Sequence, residues 1–424
     1  MTSELSGAQK LLESGDIPGA VRALRPIAET TPLRDLAQVV RLLATAVGFE
    51  DLAGAAKTLT RKPDDPQALF DFGYGCIDRG ISFLAVPALR QALRRVPDSR
   101  SLLTELVSAL EGEHRHAEAA ALLAERDAVL HPWPERYLLV YNSLLAGDLA
   151  RAHDSFVRLP PPDDHAWEWA HGRISGMLHR AELAAGATPL DRRDLRGWHY
   201  VLTGGHLATL SPYGFDAGMN GRYAYIQDSV EQCRQGLDRL ALVLRTAGRE
   251  SRTVSLLPGR AHRILGIAAA RVLQLPVEPY DQLRTDTVIV AYDLNTLDRD
   301  LAESLRYRAD GQVLYEHATC WTGPPAVGAD VSGLLCQSVV EPWGPRLGTV
   351  GDAVEQLPPD SRPEAEIAAD IAAATGEPDA GDGQTPADPD ELLGAFVSAT
   401  ASAWATGPRS HLGSPGPVPS SRFD

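Results

Sequence analysis

Five alanines recur through the first 160 residues at a nearly constant interval. Ala20, Ala53, Ala85, Ala119 and Ala152 are separated by 33, 32, 34 and 33 residues. Each stands five positions after a candidate turn residue, namely Gly15, Gly48, Gly80, His114 and Gly147. In four copies a larger apolar residue follows four positions later, at Leu24, Leu89, Leu123 and Phe156, and Pro32, Pro66, Pro97 and Pro132 close the units. A repeat of this length is one supersecondary unit that cannot bury its apolar face alone and must stack on its neighbours. The spacing predicts a helix–turn–helix. Glycine takes the left-handed backbone of a tight turn without steric cost, alanine lets two helices cross closely, and proline cannot donate the next helical hydrogen bond. Upstream of each turn, Leu69, Phe72, Gly73 and Cys76, and again Leu103, Leu106, Val107 and Leu110, form i, i+3, i+4, i+7 stripes on one helical face.

This pattern resembles the tetratricopeptide repeat family. The third unit matches that family's consensus at Leu69, Phe72, Gly73, Gly80, Ala85, Leu89, Ala92 and Pro97, and the fifth at Leu139, Gly147, Asp148, Ala152 and Phe156. The second departs most, with Lys57 where an apolar residue belongs and Leu59 taking its place. The resemblance implies five stacked helix pairs over residues 4–162, a superhelical solenoid that binds a protein or peptide partner. The Lys/Arg and Asn clamp that some members use for chain termini has no counterpart here.

At 424 residues the chain is long enough for two or three domains. The net charge of −16 argues against a general nucleic-acid binder, which needs a basic footprint. Only Lys10, Lys57 and Lys62 are lysines. This arginine bias, with abundant Ala, Gly and Pro, reads as the codon usage of a GC-rich bacterial genome. Cys76, Cys233, Cys320 and Cys336 lie at unrelated spacings, so neither a zinc motif nor a disulfide framework is expected, and no cofactor is implied. The N-terminus lacks a signal-peptide pattern, and no stretch reaches the ~18 apolar residues of a membrane span. The expectation is a cytoplasmic protein.

Residues 163–197 read as a capping helix and connector in which His165, His171 and His179 are surface or half-buried histidines. The stretch from Trp198 to Asp228 is rich in Gly and aromatic residues and reads as short strands and loops. Beyond it, hydrophobic periods alternate between strand and helix up to residue 345: a helix ending at Gly248, the strand TVSLLP, the helix RAHRILGIAAARVLQL, the strands VEPY and TDTVIVAYDL, the helix LDRDLAESLRYR, and the strands GQVLYEHATCW and GLLCQSVVEPW. That alternation predicts an open α/β sheet. The fold class is therefore α plus α/β. From Arg346 on, 13 acids stand against 4 arginines in a Pro- and Gly-rich tail, predicted to be disordered apart from a short helix over residues 391–405.

Ligands of open α/β sheets bind beyond the carboxyl ends of the strands. Candidate ligand-binding residues are therefore Asp293, Thr296 and His262, with Arg222 from the aromatic stretch. VIVAYDLNT resembles in part the phosphoribosyltransferase core, with Asp293 and Thr296 at matching places. Tyr292 replaces that family's first acid, and Leu297-Asp298 stand where its phosphate loop wants Thr-Gly. No GxGxxG follows a strand, and GxxxxGK[ST], HExxH and G-x-S-x-G are absent. Cys320 lies near Glu316 and His317, but alternation along a strand splits these three between faces, so no nucleophile assembly and no catalytic residue is assigned. The expected function is an adaptor or regulatory protein whose α/β domain senses a small ligand. The alternative is an enzyme acting on a phosphorylated or nucleotide-like small molecule, with the repeats as docking arm.

Overall fold

The computed structural model describes residues 3–350, 353–409 and 413–421, and the chain divides into two compact units, 1–171 and 172–424. The first unit is helical. Its helices are α1 (Ser3–Glu13), α2 (Ile17–Leu24), α3 (Leu33–Ala46), α4 (Glu50–Arg61), α5 (Pro66–Asp78), α6 (Ser82–Arg95), α7 (Arg100–Gly112), α8 (His116–Ala124), α9 (Tyr137–Leu145) and α10 (Leu149–Val157). They pack in consecutive pairs, and successive pairs meet where α4 touches α5, α6 touches α7 and α8 touches α9. The turns are made where the spacing predicts. Gly15, Gly48, Gly80, His114 and Gly147 all have positive φ, between 54° and 82°.

Local chemistry explains the helix starts. Asp16, Asp65, Ser99 and Asp148 cap α2, α5, α7 and α10 by accepting from the amides of Gly19, Ala68, Leu102 and Arg151, each such cap being worth about 1 kcal/mol. The apolar side chains of the two predicted stripes are buried in one core with Ala85 and Ala119, and Ala20 is buried too. Ala152 is also buried. Gly73 shows why a small residue is needed where α5 and α6 cross: a Cβ there would stand 2.6 Å from Leu89 Cγ. The second pair differs. Ala53 is only half-buried, and Leu52, Ala56 and Leu59 form its inner face while Lys57 is exposed. Trp133, just before α9, packs against Tyr137 and Trp167, and Phe156 of α10 packs against His171, with ring centroids 5.4–5.6 Å apart.

α11 (Glu168–Ala185) leads into the second unit, which continues with α12 (Leu195–Thr203), β1 (His206–Leu207), β2 (Tyr223–Gln227), α13 (Val230–Thr246), β3 (Thr253–Leu256), α14 (Arg260–Leu273), β4 (Val277–Pro279), β5 (Thr287–Ala291), α15 (Arg299–Ser304), β6 (Val313–Cys320) and β7 (Val331–Val340). The aromatic stretch thus begins in a helix, closed by Gly204 at φ 81°, before its two short strands. All seven strands are parallel, in the order β1-β7-β6-β5-β3-β4, with β2 pairing beside β1 on the same edge of β7. β5 is buried at every position, as expected of a strand covered on both faces.

The acidic tail departs from expectation. β8 (Arg346–Val350) and β9 (Ala353–Leu357) form a hairpin, α16 (Glu364–Ala373) packs on α14 and α13, and α17 (Asp390–Thr400) packs on α13. Trp404 and Val418 are fully buried. The reason is charge pairing at a distance. Tail carboxylates meet arginines of the sheet domain: Glu364 with Arg263 at 2.6 Å, and Asp388 with Arg196 at 2.8 Å and Arg239 at 2.5 Å. Read alone, the tail looks too acidic to collapse, but its partners lie 100 to 190 residues upstream. Residues 351–352, 410–412 and 422–424 of the expected disordered segment lie outside the described residues. Among the described residues, no helix is long and apolar enough to cross a membrane.

Candidate functional site

The strand order sets where a site can form. From β3 the chain moves outward to β4, then returns past β3 to β5 and continues through β6 to β7. The carboxyl ends of β3 and β5 therefore flank the topological switch point, where the crevice of a doubly wound sheet opens. Gly259 (φ 100°) and His262 follow β3, and Tyr292 to Thr296 follow β5.

His262 spans these two loops. Its Nδ1 accepts from the Tyr292 amide at 3.0 Å, which leaves the ring hydrogen on Nε2, 3.1 Å from Thr296 Oγ1. The Thr296 hydroxyl in turn donates to the Asp293 carbonyl at 2.7 Å. Burial lowers the His262 pKa to about 4, so the ring is neutral. Asp293 is half-buried. Its carboxylate accepts from the Asn295 amide at 2.9 Å, and burial raises its pKa. The fold thus brings Asp293, Thr296 and His262 together, with both His262 ring nitrogens, the Thr296 hydroxyl and one Asp293 carboxylate oxygen bonded within the protein's own loops. Asp298, where a phosphate loop would need a small neutral residue, caps α15 through the Leu301 amide at 2.9 Å.

Arg222 takes different company. Its guanidinium is buried, donates to the carbonyls of Pro419 and Val418 at 3.3 Å and Pro415 at 3.4 Å, and lies 5.5 Å from the centre of the Trp321 ring. It borders an apolar cavity of about 80 Å³ lined also by Trp198, His199, Leu202, Cys320, Pro324 and Leu335. His199 Nε2 and Arg222 Nε are buried there without a hydrogen-bond partner among the described residues. Cys320 is half-buried, with its Sγ 3.5 Å from Thr322 Oγ1 and the Gln337 carbonyl.

A third group, unanticipated from spacing, lies between α13 and the sheet. Asp228, just after β2, accepts at Oδ2 from Tyr292 Oη (2.7 Å) and Cys233 Sγ (3.4 Å), and the same oxygen is 3.0 Å from His317 Nε2. Cys233 Sγ is 3.8 Å from that nitrogen, and Tyr315 Oη is 3.1 Å from His317 Nδ1. All five residues are buried. Burial and the neighbouring Asp228 carboxylate push the Cys233 thiol and the Tyr292 phenol well up. Among the described residues these are the His, Cys and carboxylate side chains whose ligand atoms converge as a metal would require. Glycines make the space: a Cβ at Gly236 would stand 2.5 Å from Tyr315 Oη and 2.9 Å from His317 Nδ1.

Glu316, next to His317, has other partners, the Leu294 amide at 2.7 Å and Thr319 Oγ1 at 2.5 Å, and burial raises its pKa to about 8. No sequence spacing pointed to Cys233, which sits inside α13, 84 residues from His317. The one available signal was Asp228, which ends the unusual aromatic stretch. No protein-family model matches the chain, and no curated protein matches it in sequence.

Proposed function

We propose that the protein is a cytoplasmic adaptor or regulatory protein, in which a tetratricopeptide-like solenoid over residues 4–162 holds a protein partner. The supporting observation is a groove of about 470 Å³ across α6, α7 and α8. Its floor is apolar, with Leu93, Leu106, Leu110 and Leu122, and its rim carries Arg90, Arg94, Arg126, Glu118 and Glu125. An apolar floor with a charged rim suits an amphipathic helix or an extended segment, since burial supplies affinity and the rim sets register. The α/β domain is the regulatory half of this reading, and its cavity beside Arg222 and Trp321 is the place for a small, largely apolar ligand.

An enzyme working at Asp293 fits less well. His262, Thr296 and Asp293 bond one another and their own loops, and a carboxylate occupies the phosphate-loop position. The test is a photoreactive side chain in place of the exposed Ala121, on the groove wall. Irradiation in cells should yield one discrete cross-linked partner, and the yield should fall when Arg94 and Arg126 are both changed to Glu. Diffuse labelling that ignores the rim charges would remove the reading.

A further inference from the structure

We infer that Asp228, Cys233 and His317 form a binding site for a zinc-like divalent metal ion. The three candidate ligand atoms are separated by 3.0 Å (Asp228 Oδ2 to His317 Nε2), 3.4 Å (Asp228 Oδ2 to Cys233 Sγ) and 3.8 Å (Cys233 Sγ to His317 Nε2). A tetrahedral zinc ion with ordinary bonds to oxygen, nitrogen and sulfur needs edges of about 3.3 Å for O–N and about 3.5 Å for the two that include sulfur. Each observed edge is within about 0.3 Å of what an ion at the centre requires, so the side chains need only small rotations to receive one.

The shell around the triangle is built as well. Asp228 Oδ1 is fixed by the Ser229 amide at 2.8 Å, and Oδ2 by Tyr292 Oη at 2.7 Å, which still leaves Oδ2 a lone pair for a metal. With Nε2 on the ion, His317 carries its hydrogen on Nδ1 and donates it to Tyr315 Oη, 3.1 Å away. Outer partners of this kind orient metal ligands and fix the imidazole tautomer. Gly236 and Gly333 keep the space around Tyr315 open, since a Cβ at either would come within 2.9 Å of its hydroxyl.

Charge decides the kind of ion. The three ligands are buried, and an uncompensated charge there is costly. A dication with one carboxylate, one thiolate and a neutral imidazole sums to zero. A mixed sulfur, nitrogen and oxygen set suits zinc, while magnesium and calcium require oxygen ligands. On binding, the Cys233 S–H bond breaks, the proton leaves to solvent, and the thiolate pair forms the metal–sulfur bond. No oxidation or reduction takes place. The ion would tie the end of β2 and the start of α13 to β6, so its binding energy would add to folding.

The test uses the full chain, stripped with a chelator and titrated with cobalt(II) as a spectroscopic stand-in for zinc. The result expected is one equivalent of tetrahedral cobalt with a thiolate-to-metal charge-transfer band, displaced by zinc. Cys233→Ser should lose the band and weaken binding by about tenfold or more, while Cys320→Ser and Cys336→Ser leave it unchanged. Cys233→Ser keeps the hydrogen-bonding geometry, and circular dichroism of the same sample verifies its fold. Affinity should rise by about tenfold per pH unit, because one proton is released. No cobalt band in the wild type, a band that persists in Cys233→Ser, or a pH-independent affinity would each overturn the assignment.

Discussion

Asp388, in the segment before α17, lies between Arg196 and Arg239 and accepts from both, at 2.8 Å and 2.5 Å. The two guanidinium groups are almost fully buried, with side-chain exposures of 8% and 4%. Burial alone would raise the Asp388 pKa, but the two arginines outweigh it and hold the carboxyl below its usual range. Asp388→Asn takes the carboxylate from the buried Arg196 and leaves Arg239 only the exposed Asp390, 3.3 Å away. The expected cost is about 3–5 kcal/mol, read as a lower urea midpoint for the sheet domain. A loss under 1 kcal/mol would mean that the tail is not held by this contact. The stability from Asp388 is present at neutral pH and is lost as pH falls through its lowered folded pKa.

The buried histidines and Glu316 set opposite pH limbs. Burial lowers His206 to about 3 and His262 to about 4, so the unfolded chain binds more protons and stability falls as pH drops below about 6.5. Glu316 is raised to about 8, so its contribution is complete below the unfolded value of 4.5 and is lost as pH rises toward 8. Between those values the buried histidines, which include His199 at about 4, outnumber Glu316, and the net slope favours higher pH. Stability should therefore peak near pH 6.5. Glu316→Gln should flatten the alkaline limb, and thermal melts of both chains from pH 4.5 to 8.5 read this directly.

Gly73 and Leu89 meet at the crossing of α5 and α6. Gly73→Ala places a methyl 2.6 Å from Leu89 Cγ, so the leucine must leave its rotamer. The expected loss is about 1–3 kcal/mol in the helical unit, although alanine is the better helix former. A stabilised Gly73→Ala variant would mean that the two helices do not approach this closely.

The four thiols differ in access. Cys76, Cys233 and Cys336 are buried with pKa values raised by burial, whereas Cys320 is half-buried at the apolar cavity. Under native conditions a small alkylating reagent should modify Cys320 first, as one fast equivalent by peptide mass spectrometry. Equal rates for all four would contradict the cavity's access to that sulfur.

Features that depend on nearby residues were legible in the sequence. The turn positions of the array, its buried stripes and the strands and helices of the sheet follow from spacing and period. Asp293, Thr296 and His262 could be placed together because the ends of parallel strands are neighbours in any such sheet. What could not be read depends on distant pairs. The tail's acids find arginines only once the sheet has formed, and Arg222 turns to carbonyls near residue 418. The cluster at Asp228 unites two strand ends, one helix turn and a mid-strand histidine, with no spacing common to them. Ala53 packs against the core only half-buried, because α4 turns Leu52, Ala56 and Leu59 inward.

If the helical array holds the partner, as proposed, and chemistry at the sheet's switch point does not, partner capture by three full-length chains decides it: the wild type, Asp293→Ala, and the double change of Arg94 and Arg126 to Glu. Asp293→Ala should capture the same partner in undiminished yield, while the double charge reversal should lose at least about tenfold in affinity, the equivalent of 1.4 kcal/mol. Loss of capture in Asp293→Ala with full retention in the groove variant would contradict it.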